Sequence, residues 1–163
     1  MADDRVAILV RERRVLSGER EHKGAAAQAV RTTGVRAVPR RNLAVKRAYE
    51  AAKPEDGQRI LVDRLWPRGV TKAQAKLDDW LKDIAPSARL RKWFGHDPAR
   101  WDEFRRRYRE ELKQHGPLLR ELRRQARKGP ITLVYAAKDE AHNEAVVLRN
   151  VILGRSPSRR STS

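Results

Sequence analysis

From Leu43 onward, apolar and polar positions fall into short, separable patterns. Leu43, Val45, Arg47 and Tyr49 alternate with Ala44, Lys46 and Ala48, the period of two expected of a strand. EAAKPEDGQR follows as a loop, with Pro54 and Asp56-Gly57 as turn signals. ILVDRLW reads as a second strand that Pro67 ends, because proline has no N–H for a ladder. ITLVYAA, Ile131 to Ala137, is nearly all apolar and rich in β-branched residues, as in a strand buried on both faces of a parallel sheet.

Between and after these strands the period changes towards 3.6. Thr71 can cap a helix running to Trp80 or Leu81, and Pro86-Ser87 opens a short one with Leu90, Trp93 and Phe94, stopped at Gly95. Asp97-Pro98 pairs an N-cap with proline at the first helical position. The helix it starts carries Trp101, Phe104, Tyr108 and Leu112 on one face, with most of its arginines elsewhere. Gly116-Pro117 begins another, bearing Leu118, Leu119, Leu122 and Ala126 and stopped by Gly129-Pro130. The last helix carries Val147, Leu148, Val151 and Ile152 and ends at Gly154. Strands separated by helices predict a single α/β domain, a small and mainly parallel sheet flanked by helices, over residues 43–153.

Outside that span neither period is sustained. Residues 1–42 read as a flexible basic extension, and 154–163, GRSPSRRSTS, as a disordered basic tail. The net charge of +17 divides as +5, +9 and +3 over these three spans, so the ends hold nearly half of it. Such a charge favours polyanions, and the basic termini are candidates for nucleic-acid association. The chain has no run of apolar residues approaching a membrane span and no signal-peptide pattern, so a cytoplasmic protein is expected. With no cysteine, thiolate chemistry and disulfides are excluded.

Chemistry concentrates where two strands end. ILV gives way to Asp63-Arg64-Leu65-Trp66-Pro67-Arg68-Gly69, and ITLVYAA to Lys138-Asp139-Glu140-Ala141-His142-Asn143. In open α/β sheets ligands bind at the carboxyl edge, and the second ending leads into a helix whose free N–H groups favour an anion. Arg64, Arg68 and Lys138 offer cationic donors, Gly69 a close backbone approach, Trp66 a ring to stack on, and Asp139 and Asn143 polar contacts. Asp63, with His142 as its partner, is the acid–base candidate. The plainer readings are an Asp63 ion pair with Arg64, Arg68 or Lys138, a core Trp66, and Asp139 or Asn143 as a helix cap. His96-Asp97 reads as a base and orienter, as metal ligands, or as a local cap. Neither HExxH, a P-loop nor GxGxxG occurs, so no metal or cofactor is called for. In RRRYR on the third helix, acids at Asp102, Glu103, Glu110 and Glu111 interrupt the arginines, as on a solvated face.

KRAYEAAKPEDGQRILVDRLWPRGVTKAQAKLDDWLKDIAPSARLRKWFGHDPARWDEFRRRYREEL, followed by GPITLVYAAKDEAHNEAVVL, closely resembles the YeaO-like branch of the domain of unknown function 488 family. The resemblance covers about 43–153 and implies a small bacterial-type α/β protein without an established activity. Members of the family typically begin just before the KR-Y strand, which implies that 1–42 is an addition. Other branches carry a Cys-His-Arg triplet near the start of the last helix, where this chain has Asn143-Glu144-Ala145. Thiol chemistry therefore does not carry over. The expected function is anion binding, of a nucleotide or phosphometabolite, with or without catalysis. The alternative is a non-enzymatic nucleic-acid-associated or regulatory protein.

Overall fold

ITLVY is apolar at nearly every position because both of its faces are covered. In the computed structural model, which describes residues 36–156, it forms a central strand of a four-stranded, wholly parallel sheet. The strands are β1 (Leu43–Arg47), β2 (Gln58–Leu61), β3 (Asp79–Trp80) and β4 (Ile131–Tyr135), in the order β1-β4-β2-β3. Leu43 and Gln58 both lie opposite Ile131, so β1 and β2 enter the sheet in step on either side of β4. All five β4 side chains are buried, and each large apolar one contributes roughly 1.5–3 kcal/mol.

The helices are α1 (Lys72–Ala75), α2 (Ala88–Phe94), α3 (Trp101–Leu112), α4 (Gly116–Lys128) and α5 (Glu144–Ile152). Asp97 caps a 3-10 turn, Pro98–Arg100, that runs straight into α3. Phe104, Tyr108 and Leu112 are the buried face of α3, and the Tyr108 hydroxyl donates to the Ile84 carbonyl at 2.6 Å. Phe94 of α2 stacks on Phe104 at 4.3 Å between ring centroids, locking α2 to α3. The single α/β domain with a parallel sheet is therefore present as read from the sequence.

Two boundaries differ from the sequence reading. Thr71 does cap a helix, with Gln74 completing the reciprocal pair of cap hydrogen bonds. That helix stops at Ala75 instead of reaching Trp80, because Lys76 turns left-handed (φ 44°). The Asp78 carboxylate and N–H then bond the backbone N–H and carbonyl of Arg59, which seats Asp79–Trp80 on the open edge of β2. The second strand ends at Leu61, well before Pro67. Val62 still donates to Val134, but the next N–H of that ladder, on Ala136, goes to the Asp63 carboxylate.

Gly57, just ahead of β2, has φ +63°, and a Cβ there would lie 2.2 Å from the Pro130 carbonyl oxygen. Only glycine lets the entries to β2 and β4 come so close. The expectations for 1–42 and for 154–163 fall mostly outside the described residues. Of the first span, Arg40–Asn42 form a 3-10 turn that leads into β1. No helix of the described residues is long and apolar enough to cross a membrane.

Candidate functional site

Because β2 and β4 are parallel neighbours, their endings share the carboxyl edge of the sheet. Asp63 joins them directly: its Oδ2 accepts the Ala136 N–H at 2.8 Å, and its backbone carbonyl accepts the Trp80 Nε1–H at 2.7 Å. Burial pushes the Asp63 carboxyl up to about 6, against the Ala136 N–H and the charge of Arg91, which pull it down. Among the described residues no cation forms a salt bridge with it. Asp63 is thus a backbone tether and not a counter-ion to Arg64, Arg68 or Lys138.

In front of Asp63 opens a cleft of about 500 Å³. One wall is the segment Asp63–Arg68; the other comes from α2 and its C-terminal turn, through Arg91, Lys92, Phe94 and His96. Ala136, Ala137 and Glu144 form part of the floor. Four cations therefore face two carboxylates. The Nε atoms of Arg64 and Arg91 are buried and have no hydrogen-bond partner among the described residues. A buried donor without an acceptor costs on the order of 1–3 kcal/mol, so each guanidinium carries an uncompensated N–H. Tyr49 and Leu65, the large exposed hydrophobic side chains among the described residues, also line the cleft.

Successive left-handed residues, Gly95 (φ 54°) and His96 (φ 55°), end α2 and turn the chain along the cleft. A non-glycine residue held at positive φ costs roughly 1–2 kcal/mol, and such positions cluster at functional sites. Asp97 caps the turn that follows, its Oδ1 accepting the Ala99 N–H at 2.9 Å, and its Oδ2 lies 3.7 Å from Arg100 Nε.

The candidates named from sequence separate into two groups. Asp63, Arg64, Trp66 and Arg68 lie on the cleft; Gly69, Lys138, Asp139, His142 and Asn143 are not among its lining residues. Gly69 has φ +74° and open space at its Cβ position, which marks it as a turn residue. Trp66 donates to the Val70 carbonyl and packs edge-on to Trp80 with centroids 5.5 Å apart, so its ring is committed to a local apolar cluster.

The second loop is occupied with itself. Asp139 accepts the N–H groups of Ala141 and His142 and lies 2.8 Å from His142 Nδ1; the bond to His142 leads the effects that hold its carboxyl below the ordinary value. His142 also sets its ring edge-on to Trp101. Asn143, 1% exposed, caps α5 by accepting the Val146 N–H and donates to the carbonyls of Asp139 and Glu140. Asn143→Ala should therefore destabilise the fold by about 1–2 kcal/mol in a urea titration, since a cap and two loop bonds are lost together. A loss under a few tenths would contradict this role.

Arg91, Lys92, Tyr49 and Glu144 are on the cleft without having been picked out from sequence. For Arg91 and Lys92 the usable signal was a pair of cations on a short helix bounded by Pro86 and Gly95. Among the described residues no group of three or more His, Asp or Glu is placed to hold a metal ion.

The family model described as the inactive DUF488-N3 subclade matches residues 42–162. The uncharacterised protein YeaO of Escherichia coli is 47% identical over 107 residues, covering 66% of this chain and 93% of that relative. The uncharacterised protein Rv3073c of Mycobacterium tuberculosis is 45% identical over 111 residues, 68% of this chain and 93% of its own. No solved structure matches significantly. The β2 ending, the α2 cations and the Asp63 tether described above all lie within the matched span, and the chain belongs to the DUF488 family as a YeaO-like member.

Proposed function

We propose that the cleft binds a small phosphorylated anion, a nucleotide or phosphometabolite, and that the protein acts by binding it and not by turning it over. The observation that carries this reading is the convergence of four cations, Arg64, Arg68, Arg91 and Lys92, on the lining of one cleft. Guanidinium is a planar fork suited to phosphate, and Arg68 and Lys92 add charge at the same opening. Exposed Tyr49 and Leu65 offer an apolar surface to the rest of the ligand. The word inactive in the family description, together with Asn143-Glu144-Ala145 where other branches carry Cys-His-Arg, favours binding over chemistry. Asp63 is then the group that ties the cleft's two strands together, and His142 has no part in it.

Thermal-shift screening against inorganic phosphate, nucleoside mono- and diphosphates and sugar phosphates tests the proposal. A ligand at about 100 times its Kd should stabilise the protein by about 2.7 kcal/mol. Arg91→Ala and Arg64→Ala should each weaken it at least about tenfold, the loss of one charge-assisted contact. A stabilising ligand whose affinity survives both substitutions, or no stabilisation by any of these anions at millimolar concentration, overturns the assignment. Product formation during incubation would refute the non-catalytic half.

A further inference from the structure

The arginine run on α3 divides once it is folded. Arg106 and Arg107 both pair with Glu103, and Arg105 with Asp102. Arg109, one turn beyond Arg105, has no carboxylate within reach; it donates instead to the Arg155 carbonyl at 3.0 Å, across at the end of α5. Arg123 of α4 reaches the same place and donates to the carbonyls of Val151 and Ile152. Arg149 of α5 lies within the fields of Arg155 and of Arg40, which precedes β1.

Arginines from four parts of the chain thus converge on the C-terminal end of α5. Among the described residues none of Arg40, Arg109, Arg123, Arg149 and Arg155 forms a salt bridge. The carbonyls and the negative dipole end of α5 account for Arg123 and for one N–H of Arg109. Among the described residues the side chains of Arg40, Arg149 and Arg155 form no ion pair, and the Nε atoms of Arg109 and Arg149 are buried and unbonded. Burial and neighbouring arginines lower the proton affinity of both Arg109 and Arg149, the mark of like charges held together.

We propose that this cluster is a docking surface for the phosphate backbone of a nucleic acid, independent of the cleft and of base sequence. The cations are all arginine, whose fork matches phosphate, and none of the ring contacts among the described residues involves them, so there is no platform on which bases would stack. Stable protein interfaces centre on an apolar core. The large exposed hydrophobic side chains, Tyr49 and Leu65, are at the cleft instead. The net charge of +17 would draw the polyanion in from a distance.

The test is fluorescence anisotropy of the full chain with labelled random-sequence duplex DNA and, separately, single-stranded RNA, over a range of salt. Arg149→Gln/Arg155→Gln should lower the slope of log K against log salt by about two for whichever nucleic acid binds, and weaken it about equally for different sequences. Arg149→Lys/Arg155→Lys should keep most of the slope. Because Arg149 lies in a helix, Arg155→Glu, beyond the helix, serves as the second variant and should also weaken binding. Unchanged affinity and slope in these variants overturn the proposal. So does tighter binding to polyglutamate or to phosphatidylserine vesicles than to either nucleic acid.

Discussion

Asp63→Asn should make the protein more stable at pH 8, by about 1–3 kcal/mol. The folded state raises the Asp63 carboxyl from an ordinary 3.8 to about 6, so ionising it inside the fold is unfavourable. Two units at about 1.4 kcal/mol each set the upper bound, and the loss of attraction to Arg91 reduces the gain. A raised carboxyl favours folding while it holds its proton. Wild-type stability from this group is therefore full below about pH 4, falls as pH rises towards 6, and is gone above it. Asparagine can still accept the Ala136 N–H, so the tether between β2 and β4 survives while the charge does not. Asp63→Ala should instead lose about 1–3 kcal/mol at pH 5, where wild type still holds its proton and the Ala136 N–H is orphaned, and lose less at pH 8, where removing the charge offsets that loss. Urea titrations at pH 5 and pH 8 separate these cases. A variant Asp63→Asn no more stable than wild type at pH 8 would show that the carboxylate is better solvated than its position implies.

The tether made by Asp63 sharpens what can be read from DRLWPRG. Its odd composition suggested a site, but whether Asp63 was an acid–base group or a counter-ion stayed open until the fold placed a backbone N–H, and not a cation, on it. Long periodic segments were legible for a simple reason. Phe104, Tyr108 and Leu112 repeat at the helical period and are the buried face of α3. β4 is apolar throughout because it is central. β3 was invisible because two residues carry no period, and its place depends on Asp78 bonding a strand nineteen positions earlier.

The far wall of the cleft was illegible for a related reason. Arg91 and Lys92 share the cleft with Asp63 because of where α2 packs, and the Phe94–Phe104 stacking that helps fix it is a tertiary contact no local pattern records. KDEAHN looked like the partner of DRLWPRG because both follow strands at the same edge. Its acid, histidine and asparagine bond to one another and to the start of α5, and the loop closes on itself.

Asp56→Ala should be strongly damaging, with a loss of about 3–5 kcal/mol. Asp56 lies at the opposite, amino end of β2. Its carboxylate meets Arg59 Nη1 at 2.7 Å, Lys46 Nζ at 3.2 Å and the Lys53 N–H at 3.0 Å, while its carbonyl accepts the Thr132 hydroxyl at 2.8 Å. Burial pushes this carboxyl up, but the Lys53 N–H and the bonds from Lys46 and Arg59 outweigh it and leave it below the ordinary value. Its stabilisation is therefore present above about pH 4 and is lost as pH falls through the folded value.

Arg59 is only 3% exposed, so removing its carboxylate strands a buried charge, which is far costlier than never having had the pair. The double variant Asp56→Leu/Arg59→Met should accordingly lose much less than the single one, and the two single losses should not add. Denaturant titration of the four proteins decides it: a loss below about 1 kcal/mol for Asp56→Ala, or simple additivity, would mean that Arg59 finds water when its partner goes. The same variants also separate stability from binding. The amino-end ion pair does not border the cleft, so the folded fraction of Asp56→Ala should bind the cleft ligand as tightly as wild type, whereas Asp63 changes both stability and the charge presented to the ligand.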